Sequence, residues 1–417
     1  MPQPTIVFLT HPWSNLTNLI REGKQPAGTA SVYKIWQFCA RKGWDVHVIV
    51  LGDDPCPEKE WHTWELNCAH FYWVRPTAWA VQEWCRRKRL PLVQWSFKLM
   101  DWVKMAWVVS RFVPRAHVYY AMRHTFGLHA WAAARMTGAK AVIRHYGTWL
   151  HDAWTNSSWL GFLKFIPSAA AMLIPVHLTI MTNDGTRGDR VLKAMRVPQT
   201  RWRFWLNGVQ KDMRLPNFDR KAQKVGLGLD PDCIILMTTG RLEYWKRQDR
   251  VIRALPRIIA EFPNTKYTLI GEGPIRNNLE SLARELGILD HIWFVGAVPN
   301  ESLSTYLNVA DIYCQVNDLS NLSTTLMEAL AAGCACITRD VGATTDIIDA
   351  GKNAVMLSPG EQEDIAEAVL YLLRNEDERH MLGQRAYQDA MRRFQTWDER
   401  MNMEVDELFA LAKRGGF

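Results

Sequence analysis

Two cationic side chains lie five residues apart where a predicted strand gives way to a helix. In the segment GRLEYWKRQDR, Gly240 ends an apolar run, Arg241 follows it directly, and Lys246 stands at the start of the next amphipathic stretch. Arginine grips a phosphate through two N–H bonds, lysine adds a compact charge, and the first turn of a helix adds backbone donors. The spacing predicts a site for a diphosphate leaving group. A solvated basic face is the alternative, because Arg247 and Arg250 follow closely.

A carboxylate in an apolar frame is the second candidate group. Polar residues in NDLSNLSTTLMEALAAG lead into a predicted helix that carries Glu328 one to two turns from its start. An acidic residue in such a place can accept hydrogen bonds from two ribose hydroxyls, as it does in dinucleotide sites. The backbone N–H groups at the start of this helix offer a second anion site. An ordinary surface position for Glu328 is the alternative interpretation.

The sequence does not favour a metal or redox site. One D-x-D pattern is present, at Asp230 and Asp232, but it precedes a predicted strand instead of ending one, which is typical of a loop. The eight cysteines contain no C-x-x-C pair. We therefore interpret them mainly as core thiols in a reducing compartment, and we predict neither a metal nor a cofactor.

Charge and hydropathy limit the class of partner. The net charge of +7 suits an anionic ligand or an acidic membrane surface, and nucleic acid is not an expected partner. Neither a signal peptide nor a transmembrane helix is predicted, so we expect a cytoplasmic enzyme or one peripheral at the inner face of the membrane. The Trp-rich basic stretch 79–117 is interpreted as a helix pair that packs its tryptophans in the core, with contact to anionic lipid as the alternative.

Strands and helices alternate in both parts of the chain, which predicts an α/β protein with two Rossmann-like, doubly wound domains facing each other across a cleft. The first part contains the strands IVFLT, DVHVIVL, AVIR and LTIMT. The second part is more regular and runs from the strand CIILMTTG onwards, with helices predicted over TTDIIDAG and, as one long element, over EQEDIAEAVLYLLRNEDE. We predict one domain over residues 1–212, a second domain over residues 213–395, and a C-terminal helix over residues 396–417 that crosses back to the first domain in one possible arrangement.

The order of these motifs resembles one known family. GRLEYWK, LIGEGP, FVGAVP, LMEALAAGCACITRDVGATTDII and GKNAVMLSP span about residues 233–360. In this arrangement they are similar to the nucleotide-sugar half of GT-B glycosyltransferases, in particular retaining family 4, the glycosyl transferases group 1. Weaker similarity in the first part rests on AGTASVYKIWQFCARKGWDVHVIVL, RHYGTW, LTIMTNDG and FWLNGV.

The resemblance implies a role for each matching position. Arg241 and Lys246 correspond to the cations that hold the donor diphosphate as it leaves, and His145 to a histidine of the acceptor half. Glu328 corresponds to the glutamate that binds the ribose. The remaining implied donor-binding residues lie in loops and at helix starts: Gly28, Thr29, Gly240, Gly271, Gly273, Val298, Ser320, Asn321, Leu322, Ser323 and Thr324.

One position departs from the family pattern. The first glutamate of the paired motif should stand eight residues before Glu328, where this chain has Ser320. Asp318 is the substitute if the loop is two residues longer. The departure puts the identity of the donor sugar in question and allows for a catalytically weakened protein, although the backbone donors of Asn321 to Thr324 do not depend on side chains.

The resemblance implies a metal-independent, retaining hexosyl- or glycosyltransferase of the EC 2.4 class that takes a nucleotide-diphosphate sugar as co-substrate. Its acceptor would be a hydroxyl on a carbohydrate or a lipid-linked molecule, that is, a polysaccharide, a glycolipid or a small molecule, as in polysaccharide biosynthesis. A non-catalytic GT-B homologue that binds a nucleotide sugar or a partner glycosyltransferase is the alternative, favoured by Ser320. A nucleotide-sugar epimerase of similar architecture is a third interpretation.

Overall fold

The computed structural model divides the chain into two compact units. The first comprises residues up to Thr182 together with Gly188–Trp205 and Trp397–Phe417, and the second comprises Asn183–Arg187 and Leu206–Thr396. Within them the structure describes residues 3–11, 30–51, 62–63, 69–74, 116–156, 165–319, 322–358 and 362–414.

An eight-stranded sheet forms the centre of the first unit. Its order is β3-β4-β2-β1-β5-β6-β7-β8, and all neighbours are parallel except β3 and β4. The strands are β1 Thr5–Thr10, β2 Asp45–Leu51, β3 His62–Thr63, β4 His70–Val74, β5 Val118–Ala121, β6 Lys140–His145, β7 Leu178–Thr182 and β8 Trp202–Trp205. Buried apolar runs such as those of β1 and β7 are what a parallel sheet covered on both faces requires.

The helices of the first unit cover this sheet. They are α1 Ala30–Arg41, α2 Gly127–Thr137, α3 Leu150–Asn156, α4 Ile166–Leu173, α5 Gly188–Ala194 and the C-terminal α13 Trp397–Lys413. Helices α1 and α13 pack against each other and share one core layer with β1 and β2, whereas α2 contributes to the layer on the opposite face.

A six-stranded, wholly parallel sheet forms the centre of the second unit. Its order is β11-β10-β9-β12-β13-β14, so the chain reverses its direction of winding between β9 and β12. The strands are β9 Ile234–Thr239, β10 Thr265–Ile270, β11 Ile292–Gly296, β12 Ile312–Gln315, β13 Ala335–Arg339 and β14 Val355–Leu357. Alternate residues of each central strand belong to two different core layers, one on each face of the sheet.

Seven helices of the described chain pack on the second sheet. They are α6 Arg220–Gly226, α7 Gln248–Glu261, α8 Arg276–Glu285, α9 Leu303–Val309, α10 Thr324–Ala332, α11 Gln362–Arg374 and α12 Glu376–Arg393. Helices α7, α8 and α11 supply one core layer, and α9, α10 and α12 supply the other. Both units are therefore Rossmann-like α/β structures, which confirms the predicted fold class.

Two helix predictions are wrong in detail. The segment TTDIIDAG forms only a short 3-10 turn at Thr344–Asp346, because Thr344 turns its hydroxyl back onto the carbonyl of Val341 and occupies the local backbone. The single helix predicted over 361–378 is two helices, since α11 ends at Arg374 and α12 begins at Glu376. Asn375 separates them in a non-helical conformation, and its side-chain amide donates to the carbonyl of Tyr371.

The predicted domain limits at residues 212 and 395 remain predictions, and the two compact units given above are the division that the structure shows. The described residues contain no helix that is both long and apolar enough to cross a bilayer. The Trp-rich stretch 79–117 lies outside the described residues, except for Ala116 and His117.

Candidate functional site

The point where the second sheet reverses its winding lies between β9 and β12. In open α/β sheets, ligands bind outside the carboxyl ends of the strands at such a point. The loop that follows β9 carries Gly240, Arg241 and Lys246, and the loop that follows β12 leads into α10 with Ser323 and Thr324. The topology thus brings the two sequence segments singled out above to the same edge of one sheet.

Glycines hold the loops after β9 and β10 against each other. Gly240 and Gly271 have φ angles of 127° and 134°, a region that favours glycine. The Gly240 N–H donates to the carbonyl of Ile270 at 2.8 Å, and the Leu242 N–H donates to that of Glu272 at 3.1 Å. A Cβ on Gly271 would overlap the Gly240 carbonyl, and one on Gly273 would overlap Leu242. In this structure, therefore, these glycines shape the loop that carries Arg241.

Substituting Gly271 by alanine is expected to destabilise the second unit more than the same change at Gly240. At either position, alanine would be held in an unfavourable backbone conformation, which costs about 1–3 kcal/mol of folding free energy. Only at Gly271 does the new methyl group meet backbone atoms, whereas nothing lies within 4 Å of a Cβ at Gly240. The overlap should cost about 1–3 kcal/mol more, as overpacking does. Urea unfolding of the two variants measures the difference, and equal losses would contradict the close packing of the two loops.

Arg241 presents its guanidinium to solvent. Its side chain is 76% exposed, and its ion pair with Glu243, at 2.8 Å, is of the kind that contributes little in water. Its backbone, in contrast, is anchored, because the Gln248 side-chain amide donates to the Arg241 carbonyl at 3.1 Å. A fixed backbone with an available cation is suited to gripping an anionic ligand.

Lys246 ends the 3-10 turn Tyr244–Lys246 that follows. Its ammonium group lies over the ring of Trp245, 4.3 Å from the centroid. Burial lowers the pKa of Lys246 to about 8, while the negative charge of Asp184 acts in the opposite direction. Asp184 belongs to the short segment Asn183–Arg187 that is part of the second unit. A half-buried ammonium group gains more from a bound anion than a fully hydrated one does.

Asp318 is held by three arginines and does not replace the missing glutamate as a free carboxylate. Its oxygens lie 2.9 Å from Arg247, 2.6 Å from Arg250 and 2.9 Å from Arg339. Its backbone N–H donates to the carbonyl of Trp245 at 2.9 Å. Burial alone would raise the pKa of Asp318, but the hydrogen bonds from the arginines outweigh it and hold the pKa below its ordinary value. Asp318 therefore joins the loop after β12 to the loop that carries Lys246.

The start of α10 is built around Ser323. Its hydroxyl caps the helix by accepting from the Leu326 N–H at 3.2 Å and donates to the side-chain oxygen of Gln315 at 2.7 Å. Thr325 donates to the same oxygen at 3.1 Å. Leu322 is buried in the core, so a contribution to donor binding would come from its backbone. Thr324, the first residue of the helix, is half-buried.

Glu328 lies one turn further along α10. None of the described residues donates a hydrogen bond to its carboxylate. Burial raises the pKa of Glu328 to about 7. A carboxylate that is desolvated without protein partners is a suitable acceptor for two ligand hydroxyls. Val298, one of the implied donor-binding residues, follows β11 and packs half-buried against the core layer of α9 and α10.

His145 belongs to the first unit, whereas the other described candidates belong to the second. It is the last residue of β6 and is buried. Burial, reinforced by the charge of His124, lowers the pKa of His145 to about 3. The imidazole is therefore neutral at physiological pH, and within the described ranges its Nε2 has no hydrogen-bond partner. Such a group can exchange a hydrogen bond with a hydroxyl but does not carry a positive charge.

Four predicted residues, Gly28, Thr29, Ser320 and Asn321, lie outside the described residues. The D-x-D pattern lies in a loop before β9, as predicted, and Asp232 pairs there with Lys221 at 2.7 Å. Across the part of the chain that the structure describes, no cluster of three or more metal-ligating side chains occurs.

Sequence reasoning missed two features of this site. The first is the segment Asn183–Arg187, which follows β7 of the first unit yet packs within the second, where Arg187 pairs with Asp346 at 3.1 Å. The sequence NDG indicates a turn, but no nearby residue indicates that this turn packs within the second unit. The second is the arginine cluster around Asp318, whose members are far apart in sequence and therefore leave no spacing pattern.

Family and sequence comparisons add independent information. A family model described as glycosyl transferases group 1 matches residues 219–389. A GDP-mannose-dependent alpha-(1-6)-phosphatidylinositol monomannoside mannosyltransferase of Mycolicibacterium smegmatis is 28% identical over 222 residues, 48% of this chain and 57% of that protein. An N-acetyl-alpha-D-glucosaminyl L-malate synthase of Bacillus anthracis is 24% identical over 67% of this chain and 70% of that protein. The chain thus spans little more than half of the mannosyltransferase it matches.

Two solved structures have the same fold over nearly the whole chain. Sucrose-phosphate synthase from Thermosynechococcus elongatus superimposes with a TM-score of 0.74 at 15% identity, covering 98% of each chain. Anabaena HepE in complex with UDP gives a TM-score of 0.70 at 14% identity, covering 97% of this chain and 99% of that one. Residues 219–389 of this chain therefore match the glycosyl transferases group 1 family, and the two α/β units have the GT-B fold.

Proposed function

We propose that the protein is a retaining, metal-independent glycosyltransferase that moves a sugar from a nucleotide-diphosphate donor to a hydroxyl acceptor. One observation carries the proposal: two cations and a buried carboxylate occupy the loops and helix at the switch point of the second sheet. Arg241 is exposed and weakly paired, Lys246 is half-buried, and Glu328 is desolvated with no hydrogen-bond partner among the described residues. These are the groups that a diphosphate and a ribose require.

The donor is a nucleotide sugar in this proposal, with the nucleotide left open. Solved structures of the fold neighbour HepE contain UDP or UDP-glucose, whereas the mannosyltransferase relative is named for GDP-mannose. Glu328 would bind the ribose that both nucleotides share. The acceptor is a carbohydrate or lipid-linked hydroxyl, and a peripheral position at an anionic membrane surface would suit a lipid-linked one, given the net charge of +7.

The chemistry assigned to the site depends on stabilising the leaving group. The bond from the sugar C1 to the phosphate oxygen breaks, and a bond from C1 to the acceptor oxygen forms on the same face. The acceptor proton passes to the departing phosphate, so no residue of the chain acts as nucleophile or base. Arg241 and Lys246 neutralise charge as it develops on the diphosphate, which is where preorganised electrostatics lowers a barrier most.

A ligand screen followed by product analysis tests the proposal. Several UDP-, GDP- and ADP-sugars are tested for thermal stabilisation, because a ligand that binds the native state raises its stability by mass action. The donor so identified is then incubated with candidate acceptors, and NMR determines the anomeric configuration of the product. We expect retention and equal rates with Mg²⁺ or with EDTA. An inverted product, or a rate abolished by EDTA, would contradict the proposed mechanism.

A non-catalytic homologue that binds a nucleotide sugar or a partner glycosyltransferase is the second candidate. It is favoured by Ser320 at the position of the first motif glutamate together with Asp318, whose carboxylate is committed to three arginines. Thermal stabilisation by a nucleotide sugar without hydrolysis or transfer under any acceptor would support this candidate over the first.

Affinity for UDP is expected to fall as the pH drops through about 7. Ligand hydroxyls that donate to the Glu328 carboxylate stabilise its ionised form, so binding lowers the raised pKa of about 7 and releases a proton. By linkage, lowering the pH from 7.5 to 6 should weaken binding about tenfold through this group. Calorimetry measures the affinity, and Glu328→Gln serves as the control because UDP itself titrates near pH 6. The same pH dependence in wild type and variant would exclude Glu328 as the ribose ligand.

A further inference from the structure

The second unit contains a groove beside the candidate donor site, with which it shares Trp245 and Asp318. It has a volume of about 820 Å³ and lies between the first half of α7 and the length of α8, beside the 3-10 turn Tyr244–Lys246. This volume is within the range of small-molecule sites. Arg241, Lys246 and Glu328 do not line it, so it is not explained by the proposed binding of the donor.

Aromatic and aliphatic side chains form the apolar part of the groove. Tyr244 is 68% exposed, an unusual state for a large aromatic residue, and Trp245 lines the groove beside it. Ile275, Leu279 and Leu282 are buried and complete the apolar surface. Sugar rings carry C–H groups on their faces, and such faces pack on aromatic rings that also offer a polar tip.

Uncommitted polar groups line the α8 side of the groove. Asn277, Asn278 and Ser281 of this helix are exposed and line the groove. These three side chains form no hydrogen bond with any described residue. Amide and hydroxyl groups both donate and accept, which matches the sugar hydroxyl, itself donor and acceptor.

The charges of the groove nearly cancel. Arg247 is already paired with Asp249, at 3.0 Å, and with Asp318, at 2.9 Å. The other two charged residues that line the groove, Arg253 and Glu285, are exposed and have opposite charges. A groove without a net field gives no advantage to a polyanion, so the chemistry favours a neutral ligand.

We propose that this groove binds a neutral glycan chain outside the donor site. That the glycan is the acceptor or product of sugar transfer rests on the proposed function. A chain held in this groove would keep its growing end close to the enzyme between transfers, since a second point of attachment raises the effective concentration of the first.

Native electrophoresis in gels that contain a polysaccharide tests the proposal. The full chain is run in gels with yeast α-mannan, with dextran or with the acidic polymer alginate. We expect retardation by at least one neutral polymer and none by alginate. Tyr244→Ala and the double variant Asn277→Ala/Asn278→Ala should raise the apparent dissociation constant about tenfold, as the loss of a central aromatic contact does. Melting temperatures establish that the variants are folded.

Tyr371→Ala is the matched control, because Tyr371 is another exposed tyrosine of the second unit, at 50%, and does not line the groove. It should be retarded like the wild type. Migration unaffected by both neutral polymers, retardation only by alginate, or equal retardation of Tyr244→Ala and Tyr371→Ala would each overturn the proposal. UDP binding by the wild type is measured in parallel. If UDP does not bind but the glycan does, the result would count against the proposed function and would still support glycan binding in the groove.

Discussion

Replacing Lys246 by alanine is expected to reduce the rate of sugar transfer by about 10²–10³-fold, the loss typical of removing one preorganised electrostatic contact to a developing negative charge. The ammonium group is half-buried over Trp245 and belongs to a turn whose backbone is fixed by Asp318. Its interaction with the diphosphate should be strongest after the bond to the sugar has broken. The effect is therefore expected mainly in kcat, measured with the donor identified by thermal stabilisation.

Three comparisons make this prediction specific. Lys352→Ala removes an exposed lysine from the same unit and should leave the rate unchanged. Lys246→Arg keeps the charge and should recover part of the activity. Because the pKa of Lys246 is lowered to about 8 in the absence of a ligand, the wild-type kcat/KM should decline above pH 8, and the decline should shift to higher pH in Lys246→Arg. Near wild-type transfer by Lys246→Ala would count heavily against the assigned role.

The sheets could be predicted from local sequence because parallel strands are buried on both faces. LTIMT reads as a continuous apolar run and is observed as β7 over the same five residues. Gly240 and Gly271 mark strand ends for a physical reason, since both have φ angles that favour glycine. In the site, the same logic predicts that Arg241 and Lys246 follow the carboxyl end of β9, which the structure confirms.

Contacts between distant segments could not be predicted in this way. Asp318 meets Arg247 and Arg339, which are 71 and 21 residues away, and no periodicity encodes such pairs. A local contact can be missed as well. The composition of the segment around Thr344–Asp346 predicts a helix, because it does not reveal that the Thr344 hydroxyl bonds to the backbone carbonyl of Val341. The buried charges of α13 are a third case, since Glu404 lies on a helix that the sequence marks only as amphipathic.

Glu404 connects the C-terminal helix to the first sheet through a fully buried ion network. Its carboxylate lies 2.9 Å from Arg144 of β6 and 2.9 Å from Arg400 of the same helix, and the side chains of all three residues are 0% exposed. Tyr120 of β5 donates a hydrogen bond to the same carboxylate. Burial alone would raise the pKa of Glu404, but the charges of Arg144 and Arg400 outweigh this effect and lower it. Because Arg144 precedes His145, the network also supports the end of the strand that carries the candidate histidine.

Glu404→Ala is expected to lower the free energy of unfolding by about 3–5 kcal/mol, because it removes the carboxylate that the two buried guanidinium groups share. Urea unfolding measures the loss. The matched control is Glu407→Ala, one turn further along α13, which removes a pair with Arg203 at 2.7 Å whose side chains are about one-third exposed and should cost about 0–1 kcal/mol. Since the pKa of Glu404 is lowered in the folded state, its stabilising contribution should be present at neutral pH and lost as the pH falls below its ordinary value of 4.5. Equal losses for the two variants would mean that Arg144 and Arg400 find water or other partners once Glu404 is removed, and that the helix is held to the sheet by its apolar contacts.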